Sequence, residues 1–294
     1  MSEAYADTPQ GRNQVAPATA ADLQRIAAAA RTAALAGRSF LSGEFAKGTA
    51  PGQHAGLDIR AESLIIEELQ RAVGSCAVLS EEAGWVTVGT GGPPVFLVDP
   101  LDGSNNFFHG VPYWAVVIAA SPQPVEGGSV SDMDYGIVAC CDGTVIEAQR
   151  GKGIRVDGMP FVPASPEIDG QLPPLRRAMT RADKRSTWLL SRKFGSARLF
   201  GAAAIEMAWV ALGRLDAFFD TVSLKLTDVG GPSVILREAG YPMTDLKGEP
   251  IGQYGYDRPK AAGVIATRHP RWQQEAIEAF REVEPEMANL PPGR

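Results

Sequence analysis

The chain is poor in the residues that staple or metallate small domains: its 294 residues include three cysteines and three histidines. Cys76, Cys140 and Cys141 show no C-x-x-C spacing, and a bridge between the adjacent pair would be strained. The thiols therefore read as small buried hydrophobes. His54, His109 and His269 are far apart in sequence, which argues against a zinc centre of the H-E-x-x-H type. Any metal would have to be held by carboxylates. Long apolar runs are also missing. The longest, Trp114 to Ala120, is far shorter than the roughly 18 residues of a membrane span, so no membrane partner is expected. The opening stretch MSEAYADTPQGRNQV lacks the basic and apolar regions of a secretory signal, and the expected location is the cytoplasm. Basic runs are absent too. With 28 Lys plus Arg against 34 Asp plus Glu, a net charge of -6, the clustered cations that displace counterions from nucleic acid are not there. No nucleic-acid partner is expected, whereas a small anionic substrate fits a locally cationic site.

What is present is a globular composition, 45% apolar and 21% charged, long enough for two modest domains or one large α/β unit. Residues 1–19 lack apolar periodicity and read as a mobile tail. Asp22 is a candidate N-cap for an Ala-rich helix over Leu23–Leu41, with Leu23, Ile26, Ala30 and Ala34 on its packed face. A second amphipathic helix is predicted over Leu57–Val73, with Ile59, Leu64, Ile65 and Leu69 apolar, and with Glu62, Glu67 and Glu68 on a solvated face. Cys76–Leu79 and Val95–Val98 are short apolar runs ending in acidic residues, as buried strands do. Strands over Tyr113–Ala120, Tyr135–Cys141 and Val145–Ala148 follow as a meander, the last two joined by the hairpin dipeptide Asp142-Gly143. Pro160 to Pro174 is a connection between halves. Beyond it the pattern predicts a helix over Ala202–Leu212, a strand over Ala217–Phe219, a helix over Val229–Ala239, a strand over Ala262–Ala266 and a helix over Trp272–Val283.

The stretch Phe96-Leu97-Val98-Asp99-Pro100-Leu101-Asp102-Gly103-Ser104 carries the chemistry. An apolar strand delivers Asp99, Pro100 fixes φ, and Gly103 permits a conformation crowded for other residues. Ser104 can cap a following helix whose free N–H groups suit a phosphate. Alone, the string is equally an acidic turn with a serine cap. Ser80-Glu81-Glu82 ends another strand with paired carboxylates, Asp58 and Glu62 lie one helical turn apart, and Asp228 precedes Val229-Gly230-Gly231. Two like charges about 4 Å apart repel by roughly 4 kcal/mol at an effective dielectric of 20. Gathered carboxylates need cations or must protonate, and hard oxygen ligands point to Mg²⁺, or Mn²⁺ as substitute.

Ser80-Glu81-Glu82, Asp99-Pro100-Leu101-Asp102-Gly103-Ser104 and Asp228-Val229-Gly230-Gly231 resemble the three motifs of the inositol monophosphatase superfamily of Mg²⁺-dependent, often lithium-sensitive phosphatases. The resemblance runs from about Leu23 to Phe280. Leu57-Asp58-Ile59-Arg60-Ala61-Glu62 and Arg198-Leu199-Phe200-Gly201-Ala202-Ala203 resemble most its archaeal-type members, which act on inositol monophosphate and fructose 1,6-bisphosphate. It implies an α/β (α+β) fold, a layered α-β-α-β-α sandwich. Residues 20–160 would form an N-terminal half with most metal ligands, residues 161–285 a C-terminal half with Asp228 and the substrate contacts, and residues 286–294 a tail. It implies two or three Mg²⁺ per site: one on Glu81, Asp99 and the Leu101 carbonyl, a second on Asp99, Asp102 and Asp228, and a weaker third on Asp58 with Glu81. It makes Li⁺ a candidate inhibitor, and a homodimer is implied. Gly103 and Ser104 would bind phosphate, while the Ser104 hydroxyl with Glu81 or Asp58 positions the attacking water. Asp102, Arg198, Gly201, Ala202 and Asp220 would meet the substrate, and a second phosphate would fall to Arg181, Arg192, Lys193, Arg198 or Lys225. Two features depart from the pattern: Leu226-Thr227 stands where many relatives place a Trp before the third-motif aspartate, and Gly201-Ala202 replaces a small-hydroxyl pair. A 3′-phosphoadenosine nucleotide or histidinol phosphate is the alternative substrate, and a catalytically silent sugar-phosphate binder the alternative of another class.

Overall fold

The computed structural model describes residues 18–48, 56–175, 178–181, 194, 198–257, 260–261 and 263–288. The strands of its larger sheet are β1 (Cys76–Ser80), β2 (Gly84–Val88), β3 (Val95–Asp102), β4 (Ala115–Ser121), β5 (Tyr135–Cys140), β6 (Val145–Gln149), β7 (Gly153–Val156) and β8 (Met159–Phe161). They lie in the order β2-β1-β3-β4-β5-β6-β7-β8. From β3 onward this is the antiparallel meander expected from the sequence, with its hairpin at Asp142-Gly143. Sequence reading misses β2, β7 and β8, the last strand on one side of the sheet and the last two on the other. The inner strands read as unbroken apolar runs because both faces are covered. Along β3 and β4, Val95, Leu97, Ala115, Val117 and Ala119 enter one core, while Phe96, Val98, Val116, Ile118 and Ala120 enter the other. That alternation is the period of a pleated strand.

One face is covered by α1 (Ala20–Ala46) and α2 (Leu57–Val73). The stripe Ile26, Ala30, Ala34, Gly37 and Leu41 lets α1 approach the sheet closely. Its N-cap is Thr19 rather than Asp22. The Thr19 hydroxyl accepts the Asp22 N–H at 3.2 Å and the Asp22 carboxylate accepts the Thr19 N–H at 3.1 Å, a reciprocal capping box. Thr19 thus belongs to the helix and not to a tail. On α2, Ile59 is 55% exposed and faces outward, against its assignment to the packed stripe.

At the end of β3, α3 (Ser104–Phe108) packs Phe107 into the core shared with α1 and α2, and the other face carries α4 (Ala203–Ala211) and α5 (Leu226–Glu238). Beneath these lies a second sheet of β9 (Ala178–Arg181), β10 (Ala217–Asp220), β12 (Met243–Thr244) and β14 (Val264–Thr267), ordered β12-β14-β10-β9. A separate ladder joins β11 (Leu224–Lys225) to β13 (Lys260–Ala261). The outermost helix, α6 (Pro270–Ala288), packs Trp272, Ala276, Ile277 and Phe280 against Phe219 and Ile265. It runs past the expected end at Val283. The layers are those of an α-β-α-β-α sandwich. No described helix is long and apolar enough to cross a membrane.

The middle helix touches the larger sheet backbone to backbone. A Cβ on Gly136 would sit 2.3 Å from the Gly231 carbonyl oxygen, and a Cβ on Gly231 would sit 2.9 Å from Val117 Cγ1. Glycine at these positions lets α5 rest on β4 and β5 with nothing between. Because α5 begins at Leu226, Asp228 lies inside its first turn, not ahead of it.

Candidate functional site

Parallel pairing brings the first two carboxylates together. β1 and β3 align Ser80 with Val98, so the next residues, Glu81 and Asp99, emerge side by side, with the Glu81 N–H donating to the Val98 carbonyl at 3.1 Å. β3 does not end at Asp99. Its register against β4 shifts between Asp99 and Asp102, and this bulge re-aims the strand so that both aspartates line one cleft. Backbone amides hold the carboxylates in place. Asp99 Oδ1 accepts the Leu101 N–H at 2.8 Å, Asp102 Oδ2 accepts the Ala204 N–H at 2.9 Å, and Asp228 Oδ2 accepts the Lys225 N–H at 2.9 Å. Glu81, Asp99 and Asp228 each present an oxygen within 4.8 Å of the others.

This is a costly way to bury acid. Asp99 is 1% exposed, and Asp102 and Asp228 are each 7% exposed. Burial, then the charges of Glu81, Asp228 and Asp102, hold the Asp99 carboxyl well above the usual carboxylate range. Burial, then Asp228 and Glu206, do the same to Asp102. An all-oxygen donor set of mutually repelling carboxylates fits a small hard cation such as Mg²⁺ or Mn²⁺, whose charge removes the repulsion. Lys225 contributes one ammonium, its Nζ 2.9 Å from Glu81 Oε1 and 3.3 Å from the Glu81 carbonyl. Burial disfavours that charge, but Glu81, Glu82 and Asp228 outweigh it and hold the lysine pKa up.

Beside the acids the backbone turns sharply. Gly103 is the N-cap of α3 at φ 85°, where a Cβ would meet the Tyr113 carbonyl at 2.8 Å and Ala202 Cβ at 3.0 Å. Only glycine fits, and Ser104 is the first helical residue instead of the cap. The Phe107 N–H donates to the Gly103 carbonyl at 3.0 Å, so the amides of Ser104 and Asn105 precede the helix's own ladder and face the cleft as donors for an anion. Asn106 Nδ2 donates to the Tyr113 carbonyl at 2.8 Å and the Phe200 carbonyl at 2.6 Å, which seats the Gly201–Ala202 corner against this turn.

The cleft has a volume of about 410 Å³ and is lined by Glu81, Asp99, Leu101, Asp102, Gly103, Ser104, Gly201 and Asp228 among the residues expected there. Others stand back from it. Asp58 lies in the first turn of α2 with Oδ1 accepting the Ile59 N–H at 2.9 Å, and Arg198 is exposed outside the lining. Ala202 is buried behind Gly103. Asp220 is buried at the end of β10, where Oδ1 accepts the Val222 N–H at 2.9 Å and so shapes the loop that brings Val222 to the wall. Arg192 and Lys193 lie outside the described residues.

Two residues escaped sequence reading. Glu62 is not part of a solvated face: it is 4% exposed. Its carboxylate accepts the Ser80 hydroxyl, the Glu82 N–H at 3.2 Å and the Ala83 N–H at 3.3 Å, tying α2 to the turn that carries Glu81. The one-turn spacing from Asp58 was the available signal. Lys260 lines the cleft across from Lys225, and nothing in its local sequence marks it.

A model of the family described as "Inositol monophosphatase family" matches residues 14–284. An inositol-1-monophosphatase of Aeropyrum pernix is 32% identical over 209 residues, 68% of this chain and 75% of the relative. A fructose-1,6-bisphosphatase/inositol-1-monophosphatase of Thermococcus kodakarensis is 31% identical over 229 residues, 77% of this chain and 82% of the relative. A solved inositol monophosphatase structure from Anabaena superposes with a TM-score of 0.72 at 21% identity, covering 90% of this chain and 99% of that one.

Proposed function

The chain belongs to the inositol monophosphatase family, and from that premise we propose that it is a Mg²⁺-dependent phosphomonoesterase acting on a small sugar or cyclitol phosphate, inositol monophosphate or fructose 1,6-bisphosphate. The observation that carries this reading is the convergence of Glu81, Asp99 and Asp228 on one point, in a cleft that also holds the Gly103–Ser104 turn. Glu81, Asp99, Asp102, Asp228 and the Leu101 carbonyl would hold the cations. Bound there, Mg²⁺ supplies charge to the phosphoryl oxygens and acidifies water.

The rest falls to the chain's own groups. The amides of the Gly103–Ser104 turn bind the phosphoryl oxygens, fixing the phosphorus for in-line attack. The Ser104 hydroxyl orients the attacking water, and Glu81 accepts its proton. Glu81 is preferred to Asp58 because it lines the cleft and Asp58 does not. The water oxygen bonds to phosphorus as the ester P–O bond breaks, giving inorganic phosphate and the free alcohol.

The test is phosphate release in Mg²⁺ from inositol 1-phosphate, fructose 1,6-bisphosphate, 3′-phosphoadenosine 5′-phosphate and histidinol phosphate. Turnover of the first two that vanishes in Asp99→Asn supports the proposal. Preference for either of the others moves the substrate, and saturable binding without release from any favours a silent binder.

A further inference from the structure

Resting on the phosphatase reading, we infer that Lys225 and Lys260 form a subsite for a second phosphate carried by the substrate. The two-residue ladder of β11 and β13 sets Leu224 opposite Ala261 and Lys225 opposite Lys260. Side chains of a directly opposed pair stand on the same face with Cβ atoms about 4.5–5.5 Å apart. Leu224 and Ala261 are fully buried, so successive residues of each strand divide between core and cleft. Both lysines line the cavity.

Like charges directly opposite each other destabilise a ladder, and one this short has little else to offset them. Serine, threonine or glutamine pairs would close the same rim without repulsion. An anion that meets Lys260 and shares Lys225 with Glu81 accounts for a second cation on this wall. The charge layout of the cleft agrees. Its acidic side, Asp99, Asp102 and Asp228, is suited to cations, and among the described lining residues Lys225 and Lys260 are the only cations. One of them is seated, with Lys225 Nζ on Glu81 Oε1 at 2.9 Å. The other is exposed, and Lys260 makes no ion pair among the described residues. A phosphate offers close to two negative charges and three strong acceptor oxygens, enough to meet both ammonium groups at once. The inferred substrate therefore carries its reacting phosphate at the acidic end and another phosphate towards the lysine rim.

The experiment uses fructose 1-phosphate and fructose 1,6-bisphosphate, which share one phosphate and differ in the other, with wild type, Lys260→Met and Lys260→Arg. Lys260 is exposed, so the variants keep the fold, checked by an unchanged Tm. The expected result is a loss of tenfold or more in kcat/KM on the bisphosphate in Lys260→Met, carried by KM, with less than twofold change on the monophosphate and recovery in Lys260→Arg. Equal losses on both compounds, or no loss on either, overturn the subsite. The same ligands are titrated calorimetrically with Ca²⁺ replacing Mg²⁺ to suppress turnover. If wild type releases phosphate from neither compound, the catalytic reading fails, and the titration still decides: tighter binding of the bisphosphate that Lys260→Met erases upholds the subsite. Equal affinities, an unchanged preference in the variant, or no binding of either ligand overturns it.

Discussion

Arg268 and Asp216, 6% and 5% exposed, meet where β14 ends and β10 begins, and each charge is answered. Arg268 Nη1 lies 3.4 Å from Asp216 Oδ1 and donates to the Gly213 carbonyl at 3.1 Å, while Nη2 donates to the Ala164 carbonyl at 3.2 Å. The cleft buries charge in the opposite way, placing Asp99 against Glu81, Asp228 and Asp102 so that acid faces acid. A scaffold that supplies a guanidinium where it needs one, and elsewhere gathers four carboxylates with a single ammonium, Lys225, among them, leaves the second place suited to a cation from outside. Stability and function have been given separate buried charges.

The strongest challenge to this contrast is Asp99→Asn. Turnover with saturating Mg²⁺ should fall by about 10³-fold or more, equivalent to about 4 kcal/mol, while melting in EDTA should rise by a few degrees because one repelling charge is gone. Retained turnover, or a lower Tm, would mean that the cleft is an ordinary structural cluster. Arg268→Met should do the reverse. Breaking this buried pair from the Arg268 side should cost about 3–5 kcal/mol, a fall in Tm of about 6–20 °C at 2–4 °C per kcal/mol, with KM unchanged below the melt. A smaller effect is expected at Glu62, which lies between the two regimes as a buried acid answered by hydrogen-bond donors. Glu62→Gln should weaken Mg²⁺ binding about tenfold by calorimetry, since partners behind metal ligands typically contribute 10- to 100-fold. An unchanged affinity would show that the Glu81 turn holds its aim without α2.

The gentlest probe is pH. Asp99 and Asp102 are raised in the folded protein, so above the ordinary value near 3.8 the native state keeps protons that the unfolded chain has released. Stability of the metal-free protein must then fall as pH rises from that value towards the raised ones, by up to about 1.4 kcal/mol per pH unit for each group. Melts in EDTA from pH 5 to pH 8 should slope downward, and saturating Mg²⁺ should flatten them, because the cation replaces the protons.

Much of this was legible in the sequence because it rested on local chemistry. Phe96-Leu97-Val98 before Asp99 announces a buried strand and Gly103 a turn, while the gathering of Glu81, Asp99 and Asp228 was implied by the resemblance of their three motifs to a family. What was hidden lay in pairings across the chain. Glu62 shares its helix with Glu67 and Glu68 and looks no different from them until Ser80, 18 residues on, is placed beside it. The Lys225–Lys260 facing depends on a ladder two residues long, below any periodicity a sequence can display. The start of α5 is hidden because Leu226 and Thr227 carry no cap signal; the N-cap position is Lys225, whose backbone N–H donates to Asp228 Oδ2 at 2.9 Å.

The contact of Gly136 with Gly231 is a mechanical tolerance, set less than one helical turn beyond Asp228. The helix bearing Asp228 rests on the sheet without a shim, so the gauge of the ion pocket is cut at two positions that have no side chain. A methyl at Gly231 would press on Val117 Cγ1 at 2.9 Å and the Ile137 carbonyl at 3.1 Å, lifting Asp228 away from Asp99. Mg²⁺ requires oxygen ligands at about 2.1 Å, while Ca²⁺ accepts 2.3–2.6 Å in looser shells. For the Mg²⁺ proposed above, the spacing of Asp228 from Asp99 would be set by how closely two stretches of bare backbone can approach.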